Sequence, residues 1–267
     1  MLQLGQPEAC AASWSKYAKQ RQTSYSKVDG VPEGQVLTSS LKCFAVLDAL
    51  AAASEPLSLG ELASSTGSLR GTVHKQVRTL VTAGWVEQLA GGSYRLSLRA
   101  VEVAAAVLEQ ADLGSRVLPS LAELAANTGE TSAIAVLRHQ SALVLQRVET
   151  DHALRVDISV GTRMPLSTSA SGRVLVAFAP EEELDRLQHG KVDLPSANVL
   201  QTVRRDGYAS SVDEYLVGMS SIAVPLSTKR LGMVALSVTA PTTRFELDPL
   251  LQELVAAEAK ISGIING

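Results

Sequence analysis

Aromatic side chains supply only 4% of this 267-residue chain, so its interior has to be assembled mainly from Ala, Val and Leu. Hydrophobic residues still reach 46%, and a folded unit of about 150 residues buries roughly 70% of its unfolded surface without staples or metals. Cysteine is equally scarce. Cys10 and Cys43 form no CxxC pair, which argues against a disulfide scaffold and reads as free thiols in a reducing compartment. No apolar run reaches the roughly 18 residues of a membrane span. No signal-peptide core marks the start, and a cytoplasmic location is expected.

The signatures of catalysis are missing too. The four histidines, His74, His139, His152 and His189, fall into no HxH or HExxH spacing, so no metal site is expected. "STSASG" lacks the GxSxG elbow of a hydrolase, and neither GxGxxG nor a Walker A loop is present. The carboxylate run "EEELD" at 181–185 reads as the solvated first turn of a helix rather than an acid/base pair. No catalytic residue and no cofactor is expected.

What is present is a division of charge. The net charge is −3, yet residues 1–100 hold ten Lys/Arg against seven Asp/Glu, and the remainder fourteen against twenty. A polyanion, if one binds, therefore binds at the front. Residues 1–36 lack periodicity and read as a disordered extension. Lys16, Lys19, Arg21 and Lys27, interleaved with Trp14, Tyr17 and Tyr25, form either an arm along a phosphate backbone or an ordinary solvated tail.

Residues 37–98 have the order helix, helix, tight turn, helix, hairpin. The first helix places Leu41, Phe44, Ala45, Leu47 and Leu50 at three- and four-residue steps, with Ser39 or Ser40 as its cap. Ser58 and Glu61 make a capping box for the second, with Leu59, Leu62 and Ala63 inward. The third runs from about Leu69 to Ala83, with Leu69, Val73, Val77, Leu80 and Val81 on one side. Its other side shows Gly71, His74, Lys75 and Arg78, bordered by Arg70, and no carboxylate. A solvated helix face ordinarily mixes signs. Strand-like runs "WVEQLA" and "YRLSL" flank Gly91-Gly92. The whole is a winged helix-turn-helix whose third helix suits the major groove of double-stranded DNA. Lys and Arg would meet phosphates or guanine, Thr72 and His74 base edges, and a wing of Ser93, Tyr94 and Arg95 the adjoining backbone.

Residues 99–112 form an Ala/Val-rich linker helix, expected to be packed on both sides and to serve as a dimer contact. Residues 113–267 alternate helices with hairpin-linked strands, "SAIAVLRHQSALVLQRVE", "LRVDISV", "SSIAVPLS" and "GMVALSVTA" among them, and a final helix opens at Asp248-Pro249. This predicts an α+β domain with an antiparallel sheet.

With these segments in order, the chain resembles the IclR family of bacterial transcriptional regulators from about Leu37 onward. The resemblance is carried by "LSLGELASSTGSLRGTVHKQVRTLVTAGWVEQ", "TGETSAIAVL", "VGTRMPLSTSASGRVLVAF", "RRDGYA", "GMSSIAVPL" and "ALSVTAP". It implies a GAF-like effector domain, a palindromic operator bound by a homodimer or dimer of dimers, and a small organic or aromatic acid as effector. On the DNA side it implicates Ser58, Arg70, Gly71, Thr72, His74, Lys75, Arg78, Thr79, Tyr94 and Arg95. The effector site would comprise Met164, Ala170, Ser171, Ser211, Met219, Ser221, Ser237 and Thr239. Departures from the pattern are Leu69 for Pro, Gly71 for Ser, Arg173 for Lys and Ser211 for Asp. The residues agree in part: Ser237 and Thr239 share one strand face, and the N–H groups of "SASG" at a helix start suit an anion.

The expected function is therefore a DNA-binding regulator, more readily a repressor, whose operator affinity a small effector controls. A ligand-free architectural DNA-binding protein and a small-molecule enzyme are the alternatives.

Overall fold

The computed structural model describes residues 37–152, 155–156, 158–190 and 192–266. The basic extension and Cys10 lie outside the described residues. The chain divides into two compact units, Met1–Ala104 and Ala105–Gly267.

In the first unit, α1 (Thr38–Ala52), α2 (Leu59–Thr66) and α3 (Arg70–Thr82) precede a hairpin of β1 (Val86–Gln88) and β2 (Tyr94–Leu96). The capping box forms as the sequence predicts, the Glu61 N–H donating to Ser58 Oγ and the Ser58 N–H to Glu61 Oε2. Gly67, in the left-handed region at φ 60°, ends α2 and turns the chain toward α3. The core is aliphatic, with Val46, Leu50, Leu62, Val73, Val77 and Leu80 closed over by Val86 and Tyr94.

Three expectations need correction here. No side chain caps α1; Leu37 holds the N-cap position. The buried row of α1 is Val46, Ala49 and Leu50, while Phe44 is exposed. Leu69 is 82% exposed because it precedes α3 as an extended N-cap, where the helical wheel does not apply. Its inward place on the wheel falls to none of the expected residues; Gln76 is buried beside Val73 and Val77 instead.

The linker helix α4 (Arg99–Gln110) has no buried residue. Among the described residues of this chain none buries its short side chains, so packing on both sides is not achieved within a single chain.

In the second unit, α5 (Leu118–Thr128) leads into a six-stranded sheet ordered β5-β4-β3-β8-β7-β6, every pairing antiparallel. Its strands are β3 (Thr131–Arg138), β4 (Ser141–Val148), β5 (Arg163–Met164), β6 (Ala209–Val212), β7 (Met219–Thr228) and β8 (Gly232–Pro241). Helices α6 (Ala170–Ala177), α7 (Glu181–His189) and α8 (Ala197–Asp206) fall between β5 and β6, and α9 (Leu247–Asn266) closes the chain. "LRVDISV" is not a strand in its described residues; β4 pairs with Arg163–Met164 instead.

The sheet's two faces differ in bulk because side chains alternate along each strand. One face carries Ile134, Ile222, Leu236 and Val238 and packs with α5 and α9, whose Leu250, Leu254, Ala257 and Ile261 recur at three- and four-residue steps. The other carries Ala133, Ala135, Ala223 and Ala235 together with the hydroxyl residues described below. Small side chains there let α6 lie close to the sheet. Gly172 lets α6 also lie against the loop that precedes it, since a Cβ would meet the Pro165 carbonyl oxygen at 2.5 Å.

Candidate functional site

Two constellations result, one in each unit. On α3, Arg70, Gly71, His74, Lys75, Arg78 and Thr79 are exposed and Thr72 is half-buried. Their spacing of one, three and four residues sets them on the side opposite Val73, Val77 and Leu80. Among the described residues no carboxylate pairs with any of the four basic side chains. The helix thus offers a cationic face with no acidic partner among the described residues. Thr79 donates its hydroxyl to the Lys75 carbonyl at 3.0 Å, which leaves it an acceptor. Ser58 is exposed and occupied by its cap.

The wing departs from expectation. Tyr94 is buried, and its backbone exchanges two hydrogen bonds with Leu57 at 2.8 and 2.9 Å. Its ring joins the aliphatic core, because alternation on β2 turns Tyr94 inward when Arg95 turns outward. Arg95 in turn pairs with Glu87 across the hairpin at 3.0 Å. That exposed pair is weak and easily exchanged for a phosphate. Behind the hairpin, the Arg99 guanidinium lies 5.4 Å from the Trp85 ring centre and donates to the Ala83 carbonyl, a contact that sequence spacing does not reveal.

In the second unit, all eight expected effector residues are buried, none more than 7% exposed. Backbone pairing sets Ser211 opposite Ser221 and Ser221 opposite Thr239. Thr239 is opposite Thr131 in turn. Four hydroxyl side chains therefore stand abreast across β6, β7, β8 and β3. Thr131 was not among the expected residues; its only signal was alternation with Ala133 and Ala135. One step along the same face, Ser237 donates to the Ala133 carbonyl at 3.3 Å. Ser211 donates to Thr168 at 2.6 Å, tying β6 to the loop before α6.

That loop forms the N-terminal end of α6. Ser169 is the N-cap, accepting from the Gly172 N–H at 3.0 Å and donating to Pro165. The N–H groups of Ala170 and Ser171, in the first turn, have no intrahelical acceptor. Arg173 fixes the loop from outside. Its guanidinium donates to Ser167 and Ser210 carbonyls at 2.8 and 2.7 Å and binds Glu214 with both terminal nitrogens. The planar fork makes this a rigid staple between α6 and the β6–β7 turn. Beside it, a cavity of about 320 Å³ runs between α8 and β6, lined by Arg173, Asn198, Thr202, Tyr208 and Ser210. None of the eight expected residues lines that cavity.

Among the described residues no cluster of His, Cys, Asp and Glu can hold a metal, and no helix is long and apolar enough to cross a membrane. His189 bonds the Asp185 carbonyl within α7, and Glu181 to Glu183 lie in that helix's first turn.

Known proteins resemble this chain along most of its length. The IclR helix-turn-helix domain profile matches residues 41–90, and that of the bacterial transcriptional regulator IclR C-terminal domain matches residues 105–263. The chain is 33% identical over 228 residues to the glycerol operon regulatory protein of Streptomyces coelicolor, covering 80% of this chain and 89% of that one. It is 31% identical over 234 residues to the HTH-type transcriptional regulator KdgR of Escherichia coli, covering 82% and 88%. Among solved structures, an IclR homologue from Microbacterium hydrocarbonoxydans complexed with 4-hydroxybenzoate superposes with a TM-score of 0.75 at 22% identity, covering 86% of this chain and 99% of that one. That last likeness concerns the fold alone.

Proposed function

Because the chain belongs to the IclR family of DNA-binding transcriptional regulators, with its effector-binding C-terminal domain and no enzymatic role, we propose that it represses from a palindromic operator and answers to a small organic or aromatic acid. The α3 face enters the major groove. Arg70, Lys75 and Arg78 neutralise phosphates or bind guanine, and Thr72 and His74 meet base edges. The effector's carboxylate sits on the Ala170 and Ser171 N–H groups, where two backbone donors and the helix dipole favour an anion. Ser211, Ser221, Ser237 and Thr239 bind its polar substituents, and Met164 and Met219 its apolar part.

Two copies of the chain bind together. The exposed Val101, Val103 and Val107 of α4 are apolar surface that a second copy would cover, giving a dimer or a dimer of dimers. The paired α3 helices must then match half-sites about 34 Å apart or a multiple of it. The effector acts by binding one arrangement more tightly than the other.

The observation that carries this reading is the basic face of α3 without an opposing carboxylate. Its test is the joint substitution of Arg70 and Lys75 by Ala, measured on a duplex the wild-type chain selects from a random pool. Loss of two phosphate contacts should lower the salt slope, log K against log salt, by about 1.8, with the melting temperature unchanged. An unaltered slope and affinity would remove α3 from the interface.

A further inference from the structure

The far end of the linker helix is gripped by an arginine from the hairpin that carries the effector hydroxyls. α4 finishes in a complete Schellman turn, the Leu113 N–H donating to Leu108 at 3.0 Å and the Asp112 N–H to Glu109 at 3.1 Å. The left-handed position of that turn, φ 57°, is filled by Asp112. Glycine is the usual occupant, because a Cβ is penalised there. Asp112 is compensated from outside. Arg230 Nε meets its Oδ2 at 2.7 Å, and Nη1 of the same guanidinium donates to the Gln110 carbonyl at 2.9 Å. That carbonyl is among those an α-helix leaves without an internal donor. One planar group thus closes the helix end and pins its left-handed residue.

Arg230 stands in the turn between β7 and β8. A hydrogen bond closes the turn: Thr228 Oγ1 accepts the Leu231 N–H at 3.0 Å, and Gly232 adopts φ 71°. Lys229 beside it donates to Asn266 at the end of α9, at 2.7 Å. From Thr228 paired with Gly232, the two strands continue in unbroken register to Ser221 paired with Thr239. Both are buried on both faces over most of that length. A close-packed strand pair of this kind moves as a body.

We infer that the β7–β8 turn is the coupling element between the effector site and the linker helix, and that Arg230 is the positioning residue that holds the helix end. This inference rests on the regulatory reading above and adds its route. An effector that displaces the Ser221–Thr239 end of the ribbon moves Arg230 at the other end. Released from Arg230, Asp112 loses the partner that compensates its backbone conformation, so the end of α4 has two states, pinned and unpinned. The coupling is reciprocal: DNA that favours one state of α4 must be felt in β7 and β8.

Reciprocity allows a test without the effector. The probe is the selected duplex, added to the full chain while backbone hydrogen exchange is followed by residue. In the wild type, duplex binding should change exchange at least threefold in α3, in 110–113 and in the β7–β8 pair. In Arg230→Gln and in the double variant Arg230→Gln/Asp112→Gly, the α3 change should persist and the β7–β8 change should vanish. The double variant removes both contacts, leaves no stranded carboxylate and keeps the left-handed turn with a residue that favours it, so it decides the matter if Arg230→Gln folds poorly. Arg230→Lys should behave as Arg230→Gln, because an ammonium cannot bridge both oxygens in one plane. A β7–β8 response that survives in the Arg230→Gln/Asp112→Gly double variant overturns the inference, as does its absence from wild type bound at α3. Failure to select any duplex defeats the α3 assignment itself, which is a different result.

Discussion

Replacing Gly172 by Ala tests how the effector unit is assembled. Gly172 is the third residue of α6 and is buried against the loop that precedes it. A Cβ placed there would lie 2.5 Å from the Pro165 oxygen, 2.6 Å from Leu166 Cα and 2.8 Å from the Leu166 oxygen. All three are backbone atoms, so no side chain can rotate away. Ordinary contact begins at 3.4 Å, and the loop and helix must separate by up to 0.9 Å. Alanine improves helix propensity by about 1 kcal/mol, whereas overpacking costs about 1–3 kcal/mol. Separation also strains the Ser169–Pro165 and Ser169–Gly172 bonds, each worth about 1 kcal/mol. The balance is a loss of about 2 kcal/mol, or roughly 4–8 °C for a unit of this size.

Gly71 gives the opposite sign for the same chemical change. It is helical, and a Cβ there meets nothing within 4 Å, so Gly71→Ala should stabilise the first unit by about 1 kcal/mol. The two units can be followed separately. Trp85 packs against the core of the first unit, so its fluorescence tracks that unit while circular dichroism tracks both. A Gly172→Ala protein that melts at or above the wild-type temperature would refute the close approach of α6 to its loop.

Further consequences concern caps and ion pairs. Glu61 has a lowered pKa, chiefly through the hydrogen bond from the Ser58 backbone and then that of its side chain. A depressed folded-state pKa means that its stabilisation is complete above the unfolded value, about 4.3, and is lost as pH falls through the folded one. Melts followed by Trp85 from pH 6 to 3 should therefore show a smaller acid loss in Glu61→Gln than in wild type, and Ser58→Ala should cost about 1 kcal/mol at pH 7. In the second unit, Arg244 binds Glu130 at 2.7 and 3.0 Å, and the Glu130 side chain is only 5% exposed. Arg244→Ala strands that carboxylate; because Arg244 itself is one-third exposed, water softens the loss to about 2 kcal/mol. Chemical denaturation followed by circular dichroism measures it, and an unchanged midpoint would show that Glu130 is held by other groups.

Legibility in the sequence followed the range of the interactions. The Ser58–Glu61 box and the β7–β8 hairpin were readable because each depends on residues a few positions apart. β6 escaped notice: four small residues at a sheet edge have too little periodicity to mark a strand. A wing beside Gly91-Gly92 suggests an outward Tyr94, although its place on β2 turns it into the core. Leu69 was assigned inward by a helical wheel that begins one residue later.

Local pattern alone determined the helix order of the first unit, the β7–β8 hairpin and which helix face bears cations, since propensity, capping and periodicity act within a turn or two. Tertiary structure alone decided that Ser211, Ser221, Thr239 and Thr131 stand abreast, and that Arg230 reaches a carbonyl 120 positions away. Strand register and side-chain reach between distant segments come from the packing of whole elements, which no short window of residues encodes.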